Sequence, residues 1–212
     1  MEVFGPGLGS LNNQDRVIPI FCLHPIAKPC NSDNIMHISH NTHLKTTTPP
    51  VVIFGCGNIL LGDDGFGPAV IEALQLLNLP ETISTIDAGT GIREYLLDYL
   101  MLPTLRPQLL IIVDAGYRQD MTPGQVLECE ATAIPAQKIH DFSLHQFPTV
   151  NLLRELQEET GIVVVLLIAQ TATVPDHIAP GLSPPMLAAV DDACHRILRM
   201  VDRYITLEVT AP

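Results

Sequence analysis

The chain has 212 residues, 47% of them hydrophobic, which is enough to bury the core of one ordinary globular domain and excludes disorder of the whole. Its formal net charge is −12; Lys plus Arg and Asp plus Glu cancel within residues 1–49, three against three, so the excess of 20 acidic over 8 basic residues lies in the remainder. Phosphate backbones are repelled by such a surface, and no apolar run reaches the roughly 18 residues of a spanning helix, so neither a nucleic-acid partner nor membrane insertion is expected.

The N-terminus, Met1, Glu2, then Gly5, Pro6 and Gly7, lacks the basic start and continuous apolar centre of a secretory signal. Five cysteines, Cys22, Cys30, Cys56, Cys129 and Cys194, are scattered without paired spacing, which suits free thiols better than a disulfide framework. Both features point to the cytoplasm. Residues 1–49 hold Pro, Asn, Ser and Thr around short apolar islands, with no sustained periodicity, and are expected to form a poorly ordered extension. His37, His40 and His43, with Cys22 and Cys30 upstream, follow no zinc-site spacing and are read as part of that tail. The run Thr46, Thr47, Thr48, Pro49, Pro50 marks the boundary of a folded domain, residues 50–212.

From Val51 onward, short β-branched runs alternate with amphipathic segments, as a sheet with crossover helices requires. Strands are expected at Val51 to Gly55, Thr82 to Asp87, Leu109 to Asp114, Gly124 to Glu130 and Gly161 to Ala169. The all-apolar Leu-Leu-Ile-Ile-Val of residues 109–113 predicts a central strand buried on both faces. The segment at Gly124 follows a connection too short for a helix and is expected to lie antiparallel at the sheet edge. Helices are expected at Phe66 to Asn78, ahead of Pro80, at Ile92 to Met101, at Thr149 to Glu159 and at Ser183 to Ile205, the last with Ser183 as N-cap and Pro184 in the first position. The sum is a three-layer α/β domain with a mainly parallel, mixed sheet and helices on both faces.

The densest chemical signal lies between the first strand and the first helix, where open α/β sheets place their ligands: Gly55-Cys56-Gly57-Asn58-Ile59-Leu60-Leu61-Gly62-Asp63-Asp64-Gly65-Phe66-Gly67. A dinucleotide fingerprint needs glycine three positions beyond Gly57, where Leu60 stands, and two adjacent aspartates repel phosphate. Asp87, at the end of the second strand, only imitates a ribose ligand. A loop that offers a carboxylate to a cation explains the same residues: Gly55, Gly57, Gly65 and Gly67 permit tight turning, Asn58 bonds back to the backbone, and Asp64 is presented beside the sheet. Asp63 either shapes this loop or caps the helix that begins near Phe66. Asp114, which ends the third strand, and His145, in Phe142-Ser143-Leu144-His145-Gln146, fall on the same carboxyl edge. Asp64, Asp114 and His145 make a donor set for a divalent first-row metal with open positions, and ligand type alone leaves nickel and zinc unseparated. His177, in the loop after the last strand, reads as an ordinary solvated residue, with a place in the lining of a substrate groove as the alternative, and Cys56 reads as a small filler between two glycines.

The chain resembles the hydrogenase maturation endopeptidases. The resemblance rests on Gly55-x-Gly57-Asn58-x-Leu60-x-x-Asp63-Asp64-Gly65-x-Gly67, on Asp87-Ala88-Gly89-Thr90, on Val113-Asp114-Ala115 and on Ser143-x-His145-Gln146, in order along residues 51 to about 200. It implies a mixed α/β fold and a metal-contacting trio that maps to Asp64, Asp114 and His145; some members carry Glu at the first position. It further implies that the nickel belongs to the substrate, the large-subunit precursor of a nickel-iron hydrogenase, from which a short C-terminal peptide is removed. Zinc or cadmium would occupy such donors in vitro. The chain lacks HExxH, G-x-S-x-G or a recognisable Cys/His protease context, which leaves a metal-polarised water with Asp64 as base. Two other classes are weighed: a nickel-binding assembly chaperone without peptidase activity, and a nucleotide-binding oxidoreductase.

Overall fold

Alternation of side chains across one strand sets the architecture. In Val51–Cys56 (β1) every residue is buried; Val51 and Ile53 enter one apolar cluster, while Val52, Phe54 and Cys56 enter another. Successive strand residues point to opposite faces, so a strand this uniformly apolar needs a helical layer on each side. The computed structural model supplies both layers. It describes residues 49–130 and 148–210, backbone alone at 130, 148–151 and 207–210, all within the compact unit Lys45–Pro212. The expected extension falls outside the described residues, apart from its last position.

β1 is followed by a 3-10 turn, Gly62–Gly65, and the helix Phe66–Gln75 (α1). Next come Ile83–Gly89 (β2), Ile92–Met101 (α2), Leu109–Gly116 (β3), Val126–Glu130 (β4), Pro148–Thr160 (α3), Val163–Gln170 (β5) and Pro184–Thr210 (α4). The sheet order is β2-β1-β3-β5-β4, with β4 antiparallel to β5 at one edge and every other pairing parallel. Val70, Ile71 and Leu74 of α1 share one cluster with Met186, Ala193 and Ile197 of α4. Ile92, Leu96 and Tyr99 of α2 share the other with Leu153 and Leu156 of α3. Phe54 anchors that second face through Tyr95, with ring centroids 4.9 Å apart, and Tyr99, at 6.3 Å. Its full burial contributes on the order of 1.5–3 kcal/mol.

Boundaries shift where local hydrogen bonding departs from simple periodicity. α1 ends at Gln75 rather than Asn78, because the Leu76 amide bonds back to Ala73 and the Leu77 amide to Leu74, tightening the last turn before Pro80. β5 starts at Val163 rather than Gly161, since Gly161 takes φ +74° and its amide closes α3 onto the Gln157 carbonyl. β2 runs on to Gly89 and β3 to Gly116, two residues past the expected aspartate in each case. α4 continues beyond Ile205 to Thr210. Ser183 does occupy the cap position, its carbonyl accepting the Leu187 amide, but its hydroxyl is turned elsewhere.

β1 passes through α1 to β2 on one side and β3 lies on the other, so strand order reverses between β1 and β3. At such a switch point the connections leave in opposite directions and open a crevice beyond the carboxyl ends of the strands. In this sheet Cys56 on β1 and Asp114 on β3 stand at that switch point.

Candidate functional site

Parallel register places the first members of the site. Gly55 is aligned with Asp87 on β2 and with Val113 on β3, so Asp87, Cys56 and Asp114 stand at the ends of three adjacent strands. Asp64 reaches the same rim from the 3-10 turn. The Cys56 thiol records the convergence: its pKa lies well above the ordinary value, first through burial and then through the negative fields of Asp114, Asp87 and Asp64. Two of these carboxylates, Asp64 and Asp114, are the ones chosen from sequence. Asp87 is the one that reading assigned no role, although the strand-ending Asp87-Ala88-Gly89-Thr90 was a signal for it.

Backbone amides orient each carboxylate. Asp64, only 3% exposed, accepts the Asn58 amide on Oδ2 at 2.7 Å. Asp87 accepts the Gly89 amide at 2.9 Å and Asp114 the Ala115 amide at 2.8 Å. Asn58 folds its own loop, its Oδ1 accepting the Leu60 amide at 3.0 Å while its carbonyl accepts the Leu61 amide. Two glycines make this approach sterically feasible. Gly57 adopts φ +126°, and a Cβ there would strike the Asp64 carbonyl; a Cβ on Gly67 would lie 2.6 Å from the Val113 carbonyl oxygen and closer still to Cys56. Helix α1 therefore begins almost in contact with β1, and the 3-10 turn that carries Asp64 lies close against the end of that strand.

Asp63 points the other way. It is fully buried and accepts four hydrogen bonds, from the amides of Ala172 (2.8 Å), Thr173 (3.0 Å) and Ser183 (2.7 Å) and from the Ser183 hydroxyl (3.0 Å). Neither Asp63 nor Asp64 caps α1, whose N-cap is Gly65 without a side-chain bond. Asp63 instead ties the β1–α1 loop to the β5–α4 loop. A second tie runs beside it: the Ala179 amide donates to the Leu60 carbonyl at 2.9 Å, and Leu61 and Ala179 form an isolated parallel bridge. Burial alone would raise the Asp63 pKa, but the bonds from Ser183, Thr173 and Ala172 outweigh it and hold the carboxyl below its ordinary value.

His145 lies outside the described residues. Among the described residues, no three of His, Cys, Asp and Glu are gathered closely enough to hold a metal ion. His177 is exposed in the β5–α4 loop, 3.0 Å from the Asp176 carboxylate.

Comparison with known proteins decides the family. A family model described as hydrogenase maturation protease (HycI) matches residues 68–200, well over half of the chain. The chain belongs to the hydrogenase maturation protease family. Among similar proteins, the Hydrogenase 2 maturation protease of Escherichia coli K12 is 28% identical over 151 residues, covering 70% of this chain and 88% of that protein. A Methanocaldococcus jannaschii protein that carries a provisional hydrogenase maturation protease name is 38% identical over 150 residues, with 70% and 94% covered. The coenzyme F420 hydrogenase subunit delta of Methanothermobacter thermautotrophicus is 33% identical over 152 residues, with 70% and 92% covered. The solved maturating endopeptidase HybD of E. coli superposes with a TM-score of 0.61 at 28% identity, covering 73% of this chain and 93% of that one.

Membership makes the chain a peptidase and argues against the oxidoreductase class, in keeping with two buried carboxylates where a pyrophosphate would need to sit. Cys56 is a poor nucleophile for a maturation protease of this kind, since burial and three acidic neighbours keep the thiol protonated. Cys56→Ala is accordingly expected to process substrate within about threefold of the parent chain, and iodoacetamide to leave the parent active. A hundredfold loss in a folded Cys56→Ala chain, read by intact mass of the substrate, would restore the thiol to the reaction.

Proposed function

We propose that this peptidase removes a C-terminal peptide from the large-subunit precursor of a nickel-iron hydrogenase, and that it engages nickel already carried by that precursor. The observation in favour is that Asp64 and Asp114, together with Asp87, stand near enough to one buried thiol, Cys56 at the switch point of the sheet, to act on it electrostatically. Two carboxylates oriented by backbone amides, together with the imidazole of His145, suit a divalent first-row metal with positions left for other ligands. The ion is part of the substrate. The trio Asp64, Asp114 and His145 adds oxygen and nitrogen donors to the precursor's own ligands, so a precursor without nickel binds more weakly and is spared. Zinc or cadmium would fill the same donors in vitro.

The hydrolytic role falls to Asp64. Its Oδ2 is fixed by Asn58, and as general base it takes a proton from the attacking water while Asp114 and His145 hold the metal-bearing segment in register. Gly55, Gly57, Asn58, Asp63, Gly65 and Gly67 shape the loop that presents it. Residues 50–212 carry the activity, with residues 1–49 as an extension. The work is done in the cytoplasm, a setting suited to Cys56, Cys129 and Cys194, which are free thiols. No helix of the described residues is long and apolar enough to cross a membrane.

Incubating the purified chain with nickel-loaded and nickel-free precursor tests the reading. Loss of a C-terminal peptide, seen by intact mass, is expected for the loaded form only. Equal cleavage of both forms would remove nickel from the reading, and binding without shortening would favour the assembly chaperone.

A further inference from the structure

Beside the carboxylate rim lies a groove of about 340 Å³, bordered by Ile59, Gly62, Gly65, Glu72, Asp87 and Leu182. That volume is on the order of ten waters, far beyond a bare ion and at the small end of ligand sites. Its floor is poor in side chains, because Gly62 and Gly65 belong to the 3-10 turn that carries Asp64. The two zipped loops build its upper side: Asp63 and the Leu60–Ala179 bond fasten residues 172–183 onto residues 58–63. On those loops Ile59 is 60% exposed, Leu60 45% and Ile178 72%, apolar surface with no role in the core. The charged residues bordering the groove are Glu72 and Asp87; neither lysine nor arginine is among the described residues that border it.

We propose that this groove seats an extended segment of the substrate polypeptide, with a cationic side chain of that segment facing Glu72 and Asp87 and its apolar neighbours against Ile59 and Leu182. The proposal rests on the maturation reading and adds to it a site of selection for the polypeptide, separate from the metal donors. Charge favours this occupant, since an acidic wall repels carboxylate or phosphate ligands and attracts lysine or arginine. Position favours it too: Asp87 borders the groove and also acts on Cys56, so a chain lying there continues directly into the carboxylate rim. Gly62 and Gly65 border the groove without side chains of their own, and the exposed Ile59 provides apolar contact at its margin.

The test uses the full-length chain and nickel-loaded precursor, with KM and kcat measured separately. Glu72 is exposed on α1, so Glu72→Lys leaves the core untouched, and Ile59→Asp changes an exposed loop position. KM is expected to rise about tenfold in Glu72→Lys, with kcat little changed, and the difference from the parent to shrink at high salt. Replacing precursor lysines and arginines singly by glutamate should yield at least one substrate that restores KM for Glu72→Lys. Glu155→Lys, an exposed change on α3 on the opposite face of the sheet, controls for net charge. An unchanged KM in both groove variants, or an equal rise in Glu155→Lys, overturns the proposal while the maturation reading stands. A parent chain that cleaves no precursor overturns that reading, and the groove assignment falls with it.

Discussion

Asp64→Asn and Asp114→Asn are each expected to lower precursor processing by about 10²- to 10⁴-fold while the fold persists, and His145→Ala to do the same. Asparagine is the sharper replacement at the first two positions. Asp64 is almost fully buried and accepts the Asn58 amide, so alanine would leave that N–H without its partner at a cost of about 1–3 kcal/mol, and lost activity would be mixed with lost stability. An asparagine oxygen can still accept the bond. What disappears is the anionic donor and the proton acceptor, the two properties the reaction needs. The same holds at Asp114, whose Oδ1 accepts the Ala115 amide. Single-turnover processing of nickel-loaded precursor, followed by mass, gives the rate; thermal unfolding of each variant gives the fold. A variant that processes at the parental rate removes its residue from the trio. Asp87→Asn serves as the comparison, because Asp87 shares the rim without being assigned as a donor: a loss as large as that of Asp64→Asn would make it a fourth member.

Strands and helices were legible because burial enforces periodicity. The apolar run at Leu109 could serve only as a strand covered on both faces, and β3 indeed lies between β1 and β5 with neighbours on each side. The edge position and antiparallel direction of β4 followed from the short connection before it. Element ends were harder, since they depend on single hydrogen bonds such as that of the Leu77 amide to Leu74, which no pattern of apolar residues encodes. The positions of Asp64, between β1 and α1, and of Asp114, near the carboxyl end of β3, were readable from the pattern of strands and turns. Asp63 was not: its partners Ala172, Thr173 and Ser183 lie more than 100 residues away in sequence, and three of its four bonds come from backbone amides, which any residue type supplies. Adjacent aspartates with opposite duties look identical until the chain is folded.

Asp63→Ala is expected to destabilise the fold by about 3–5 kcal/mol, the largest stability effect of any single polar substitution near the site. The carboxylate gathers three amides and one hydroxyl in a place without solvent access, and alanine leaves those donors facing an empty space. At about 1–3 kcal/mol for each donor that finds no water, even two such orphans reach the stated range. Asp63→Asn fares better without being neutral, since one of its side-chain atoms becomes an NH₂ donor facing donors. The acid limb of the stability curve carries an independent signature. The hydrogen bonds depress the folded pKa below 3.8, so the unfolded chain binds the proton more readily than the folded one in the window beneath that value. The stabilisation is therefore complete above the ordinary aspartate value and drains away as pH falls through it towards the folded pKa. Denaturant midpoints for the parent and for Asp63→Asn, measured from pH 6 downward, should converge as the solution becomes acidic, because only the parent has this contribution to lose. Parallel curves, with a constant gap down to the acid end, would show that the four bonds confer no preference for the ionised carboxylate. The loop carrying Ile178 and Ala179 would then owe its placement to the Leu60 bond and to packing instead.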